Sequence, residues 1–225
     1  MGAGPRGKRG FLLGAVAAGL AALAGAAWWT AEGRTPAFRD AGGAPIPGAI
    51  AEERHVVLGG VRQYLLLRGR DRTAPLLVNV HGGPGMTERA LYRFHNAVLE
   101  DHFVVAYWDQ RGAGKSFDPE LDPAGLTIDR MSRDLTELID ALCAEFGRDS
   151  VLLLAHSWGT VLALEHIARR PETVAGYVGI GQVTRQLESE REGYGWLLES
   201  ARAQGETRAV AALEALGAPP WTAEE

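Results

Sequence analysis

A short apolar run that passes through a sharp turn into a helix constrains this chain more than any other feature. Ser150-Val151-Leu152-Leu153-Leu154 reads as a strand buried on both faces of a parallel sheet. Beyond the turn, Val161, Leu162, Leu164 and Ile167 recur at helical spacing until Pro171, which cannot continue a helix. Ala155-His156-Ser157-Trp158-Gly159 lies between the two patterns. A strand, a tight turn and a helix form the context in which a serine can sit at the apex with strained backbone and project its oxygen above a sheet. That geometry needs small residues two before and two after the serine, and Ala155 and Gly159 meet the requirement, with alanine in the place of the usual first glycine. A small-x-Ser-x-Gly string is common, and most serines that begin a helix are N-caps. The reading therefore needs support from elsewhere in the chain.

The support comes from two more loops that follow strand-like runs. His81-Gly82-Gly83-Pro84-Gly85 follows Pro75-Leu76-Leu77-Val78-Asn79-Val80, and its glycines let backbone N–H groups turn inward, as an oxyanion hole demands of a loop after an early strand. Trp108-Asp109-Gln110-Arg111-Gly112-Ala113-Gly114-Lys115-Ser116 follows Phe103-Val104-Val105-Ala106-Tyr107. The last three residues of this loop match the end of a nucleotide-binding P-loop. That reading is rejected because Asp109 stands where a glycine is required, and the following Phe117-Asp118-Pro119 is a poor helix start. Asp109 and Arg111 are read as ties between loops.

Taken in order and spacing, His-Gly-Gly-Pro-Gly at 81–85, Asp-Gln-Arg-Gly-x-Gly-x-Ser at 109–116 and His-Ser-Trp-Gly at 156–159 resemble the proline iminopeptidase branch of the α/β-hydrolase superfamily. The likeness covers roughly residues 54 to 182. It implies an α/β-hydrolase fold, a mostly parallel sheet with helices on both faces, and a helical lid. It also implies Ser157 as nucleophile, with the backbone N–H groups of Gly83 and Trp158 as the oxyanion hole. The implied substrate is a short peptide or amide with a free N-terminal residue; an ester is the nearest alternative, since the same loops serve both chemistries.

Composition narrows the field further. The formal net charge is −5, and setting aside Arg6, Lys8 and Arg9 leaves −8 on the rest, which disfavours nucleic acid as a partner. The single cysteine, Cys143, excludes an intrachain disulfide and reads as a small apolar group on a helix. No Cys/His cluster points to a metal, and no cofactor is expected. Residues 1–10 are basic and 11–29 are uncharged and apolar, ending in Trp28-Trp29. This is the pattern of a transmembrane anchor or an export signal, with Ala24-Gly25-Ala26 as a possible cleavage site. The charge bias places the folded part outside the cytoplasm, anchored to the membrane or secreted. Residues 30–50 read as a Gly/Ala/Pro-rich linker, 51–181 as the α/β core, and 182–225 as the beginning of a helical lid.

Within the core, His55–Leu58 and Val61–Leu67, parted by Gly59-Gly60, predict an antiparallel hairpin. Leu91, Phe94, Val98 and Leu99 predict one helical face, and Met131, Leu135, Leu138, Ile139, Leu142 and Phe146 predict an amphipathic helix over 128–146. Val174–Ile180 predicts a further parallel strand, and two helices parted near Gly205 should follow.

The serine chemistry also requires an acid and a histidine, which follow the nucleophile in this fold. Neither can be placed. The one histidine after Ser157 is His166, and nine helical residues set it about 13 Å along the axis, too far to bond the serine. His81 and His156 read as structural neighbours of the loops; His55, His95 and His102 read as surface residues. About six strands are legible against the eight that the resemblance implies. The sequence expectation is that the chain stops inside its lid, with the triad acid and histidine in sequence beyond it. A non-catalytic binding protein is the reading from a different class. Glu188, Glu190 and Glu192 could bind an amino group, but a solvated helix face is the plainer account of them.

Overall fold

The computed structural model describes residues 35–220. Six strands form one sheet: β1 (Ile50–Leu58), β2 (Val61–Gly69), β3 (Leu76–Val80), β4 (Val104–Asp109), β5 (Val151–His156) and β6 (Val174–Ile180), in the order β1-β2-β4-β3-β5-β6. β1 and β2 form the expected antiparallel hairpin and β2 runs antiparallel to β4, whereas β4, β3, β5 and β6 are mutually parallel. From β3 the chain goes to one neighbour, β4, and then crosses to the other, β5. This reversal opens a crevice outside the carboxyl ends of β3 and β5, where ligands bind in open α/β sheets.

Strand alternation explains the layers. Leu65, Leu67, Val78, Val80, Val104, Ala106, Leu153 and Ala155 share one core with Met131, Leu135, Leu138, Ile139 and Leu142 of α2 (Ile128–Phe146) and Leu162 and Ala163 of α3 (Trp158–Arg169). The opposite phase, Tyr64, Leu66, Leu77, Val105 and Tyr107, meets Tyr92 of α1 (Arg89–His95). Each large aliphatic side chain that α2 buries contributes about 1.5–3 kcal/mol relative to exposure, so the α2 stripe fixes which face of the sheet it covers. Thr127 starts α2, its Oγ1 accepting from the Arg130 N–H at 3.2 Å.

Two features depart from the sequence pattern. The face expected from Leu91, Phe94, Val98 and Leu99 does not form: α1 stops at His95, and Ala97–Asp101 is a separate 3₁₀ turn. Phe94 is 83% exposed, while Tyr92 and, partly, Leu99 make the contacts to the sheet. The second departure lies in the stretch read as a linker, where Phe38 stacks under the Arg68 guanidinium at 4.4 Å and Pro36 O accepts from Arg68 Nη1 at 2.8 Å.

After β6, α4 (Gln186–Ala203) and α5 (Thr207–Leu216) form a pair joined through Tyr194, which donates to Leu213 O at 3.0 Å, and through Arg202–Glu214 at 2.6 Å. Glu188 pairs with Arg185 at 2.6 Å and Glu190 accepts from Gln186 at 2.8 Å on a solvated face. Cys143 is partly buried against the main core, and burial raises its thiol pKa. Among the described residues no helix is long and apolar enough to cross a membrane, and the membrane segment expected at 11–29 lies outside them.

Candidate active site

The loops that follow β3, β4 and β5 meet at the crevice. Ser157 links β5 to α3 with φ 48° and ψ −120°, and it is the one non-glycine residue at positive φ among the described residues. A β-carbon makes that region costly, by about 1–3 kcal/mol, so the surrounding structure must hold the turn. It does so from both sides. Ser157 N donates to Ile180 O of β6 at 2.8 Å, and Ser157 O accepts from Thr160 N at 2.9 Å and from Thr160 Oγ1 at 2.6 Å. Gly159 lets α3 approach β3: a β-carbon there would stand 2.1 Å from Val80 O and 2.6 Å from His81 O. Ala155 is fully buried, which accounts for a small residue at that position.

Gly83 has φ 115°, a conformation open to glycine, and it lines the same cleft as Ser157 and Trp158. The cleft has a volume of about 750 Å³, with Ile128, Val161, Leu164 and Val183 supplying apolar walls. Glu165 is also among its lining residues and is paired with Arg169 at 3.0 Å. Trp158 opens α3, so its N–H belongs to the first helical turn and has no acceptor within the helix. The three residues selected from sequence are thus brought together.

The histidines have other tasks. His81 is buried, its Nδ1 donating to Gly82 O at 2.7 Å and its Nε2 accepting from Gln110 N at 3.0 Å; burial holds its pKa below the ordinary value. His166 is buried between Thr136 Oγ1 at 2.8 Å and Thr173 Oγ1 at 2.9 Å, and burial lowers its pKa also. His156 Nδ1 pairs with Glu88 Oε1 at 2.6 Å. His55, His95 and His102 are exposed. Among the described residues, no side chain is hydrogen-bonded to Ser157 Oγ.

The support residues form two knots. Asp109 accepts from Arg89 at 3.2 Å, from Lys115 N at 2.9 Å and from Thr87 Oγ1, tying the loop after β4 to the start of α1. Arg111 binds both oxygens of Asp134 on α2, at 2.8 and 2.9 Å, and reaches Leu58 O and Gly59 O at 3.2 Å. Gly114–Ser116 is a 3₁₀ turn followed by extended Phe117, so no helix opens there to receive a phosphate. Two site residues were missed in the sequence. Gln110 bridges His81 O at 2.7 Å and the Trp158 indole at 3.2 Å, and Glu88 bridges Gly82 N and His156. No local pattern marks either one, because Gln110 and Glu88 find their elbow partners 48 and 68 residues away.

Residues 75–215 match the family described as the alpha/beta hydrolase fold. The chain belongs to the α/β-hydrolase family. This chain is 32% identical over 177 residues to the Bacillus subtilis (strain 168) protein named "Probable aminopeptidase YbaC", covering 79% of this chain and 56% of that one. The proline iminopeptidase-related protein of Thermus thermophilus superposes with a TM-score of 0.55 at 33% identity, over 68% of this chain and 50% of that chain. Epoxide hydrolase A of Mycobacterium thermoresistibile superposes at 0.51 with 30% identity, over 65% and 46%. The chain spans about half the length of these relatives.

Proposed function

We propose that this α/β-hydrolase is a serine hydrolase that works through an acyl-enzyme, acting on short peptides or amides with a free N-terminal residue. The observation that carries the proposal is the strained backbone of Ser157, held at the mouth of a cleft that Gly83 and Trp158 also line. Strain of this kind persists where surrounding structure over-determines it, as at catalytic turns. Ser157 Oγ attacks the substrate carbonyl carbon and loses its proton to a general base. The Gly83 and Trp158 N–H groups receive the charge that develops on the carbonyl oxygen. The base then returns the proton to the leaving nitrogen as the C–N bond breaks. Water repeats the sequence on the acyl ester, releasing the acid and restoring the hydroxyl. The described histidines are committed to other partners or lie on the surface, so none of them is assigned as the base. A single oxyanion donor of this type is worth about 10²–10³ in kcat.

The peptidase reading draws its support from the names of the relatives. A carboxylesterase is the second reading, favoured by the apolar lining of the cleft. The test uses the full gene product with a fluorophosphonate probe and Ser157→Ala as control. Labelling that the substitution abolishes is the expected outcome, and faster turnover of aminoacyl 4-nitroanilides than of 4-nitrophenyl esters selects the peptidase. Absence of labelling in the unsubstituted protein overturns the serine mechanism and leaves a binding protein.

A further inference from the structure

Glu88 precedes α1 at its N-cap, yet its side chain does not cap that helix. Residues at this position ordinarily offer their oxygens to the helix's own free N–H groups. Here the carboxylate is nine-tenths buried and points the other way. Oε2 accepts from Gly82 N at 3.0 Å, in the loop after β3, and Oε1 pairs with His156 Nδ1 at 2.6 Å, in the turn after β5. One carboxylate therefore spans the two segments that flank Ser157. The packing between them is tight: a β-carbon on Gly82 would lie 3.1 Å from both Glu88 Oε1 and His156 Nδ1, and 3.2 Å from Ser157 Cβ. By taking up the Gly82 N–H, Glu88 removes that donor from the loop, whose next residue, Gly83, lines the cleft.

We infer that Glu88 is a positioning residue, a clamp that sets the spacing between the Gly83 N–H on one loop and Ser157 and the Trp158 N–H on the other. The inference rests on the serine mechanism proposed above. Glu88 transfers no proton; its work is reach and hydrogen bonding, because two oxygens at a fixed separation meet two donors on different loops. Removing it lets the oxyanion loop drift, and drift of about 1 Å in such a group costs about 100-fold in rate. The loss falls on the transition state, where the oxyanion exists, and spares ground-state binding.

The experiment compares Glu88→Gln, Glu88→Asp and Glu88→Ala in the full gene product, after Ser157-dependent turnover of the unsubstituted protein has been established. If that turnover is missing, the serine mechanism has failed and not the clamp. Gln keeps the reach and loses the charge: one arm still accepts from Gly82 N, and the amide donates to a His156 tautomer protonated on Nε2. Asp keeps the charge and loses one methylene of reach. The clamp predicts kcat within about threefold of the parent for Gln and a fall of about 10- to 100-fold for Asp and Ala. KM changes by less than about threefold, and affinity for a boronic acid oxyanion mimic falls in step with kcat. An active Asp variant beside an inert Gln variant overturns the clamp in favour of a role for the charge. Unchanged kcat in folded Asp and Ala variants also overturns it. Should Ala fail to fold, the order of Gln and Asp decides alone.

Discussion

At Ser157 the proposed chemistry and the stability of the fold make opposite demands. Its φ of 48° places a β-carbon where only glycine is at ease, and the cost is met by the bonds to Ile180 O and Thr160. Ser157→Gly should therefore raise the unfolding free energy by about 1 kcal/mol while abolishing fluorophosphonate labelling. Urea denaturation of the two proteins checks this, and a glycine variant less stable than the parent would show that the turn is not strained. The serine and its small neighbour Gly159 were legible in the sequence because the requirement is local, namely a tight turn against a strand two residues away. Glu88 was not legible. Its role depends on Gly82 and His156 reaching it in space, and the chain between Glu88 and His156 carries no periodic trace of that meeting.

Among the elements, α2 shows what local pattern can and cannot convey. Its bounds, 128–146, followed from apolar spacing, because one face packs on a continuous sheet. What the pattern did not show is Asp134, fully buried on that face, where it receives Arg111, Gln63 Nε2 at 2.8 Å and Arg130 Nε at 3.1 Å. This pins α2 to the hairpin and to the loop after β4. Asp134→Ala leaves the buried Arg111 guanidinium without its carboxylate and should cost about 3–5 kcal/mol, read from the urea midpoint. A loss under about 1 kcal/mol would mean that the surrounding carbonyls suffice. The failure at α1 has the converse cause. Leu91, Phe94 and Val98 have helical spacing, but the helix breaks at Asn96 and Tyr92 is the side chain seated on the sheet, so those three remain on the surface. Spacing reports amphipathicity only where one unbroken helix meets one flat neighbour.

Over the whole molecule, burial of His81 and His166 ties folding to pH. Both pKa values lie below the ordinary imidazole value of 6.5 in the folded state, so the unfolded chain binds more protons as pH falls past that value. The stability that their neutral forms contribute is complete above about pH 6.5 and declines toward the folded pKa values, with a slope of at most about 1.4 kcal/mol per pH unit for each proton. In acid a second decline follows. Arg54 and Arg72 hold Glu145 below its usual 4.5, and against the opposing effect of burial the Gly59 N–H and Arg130 do the same for Glu137, so their contribution is lost below that value. Urea midpoints measured from about pH 8 to pH 4 should fall in these two windows, and His166→Gln should flatten the first. A profile level down to about pH 5 would show that neither histidine is held neutral.

The sequence by itself determined the turn at Ser157, the glycines of the loop after β3, the hairpin and the helix at 128–146, because each is set by steric and packing rules acting over a few residues; the family was legible through the resemblance of three motifs in their order and spacing. Tertiary structure decided the strand order, which puts β3 between β4 and β5 and brings their loops to one crevice. It also decided the contacts of Glu88, Gln110 and Asp134, each of which reaches a partner 48 to 71 residues away in the chain. A hydrogen bond needs its two atoms within about 3 Å, and nothing in a linear pattern records which distant residues folding will bring that close.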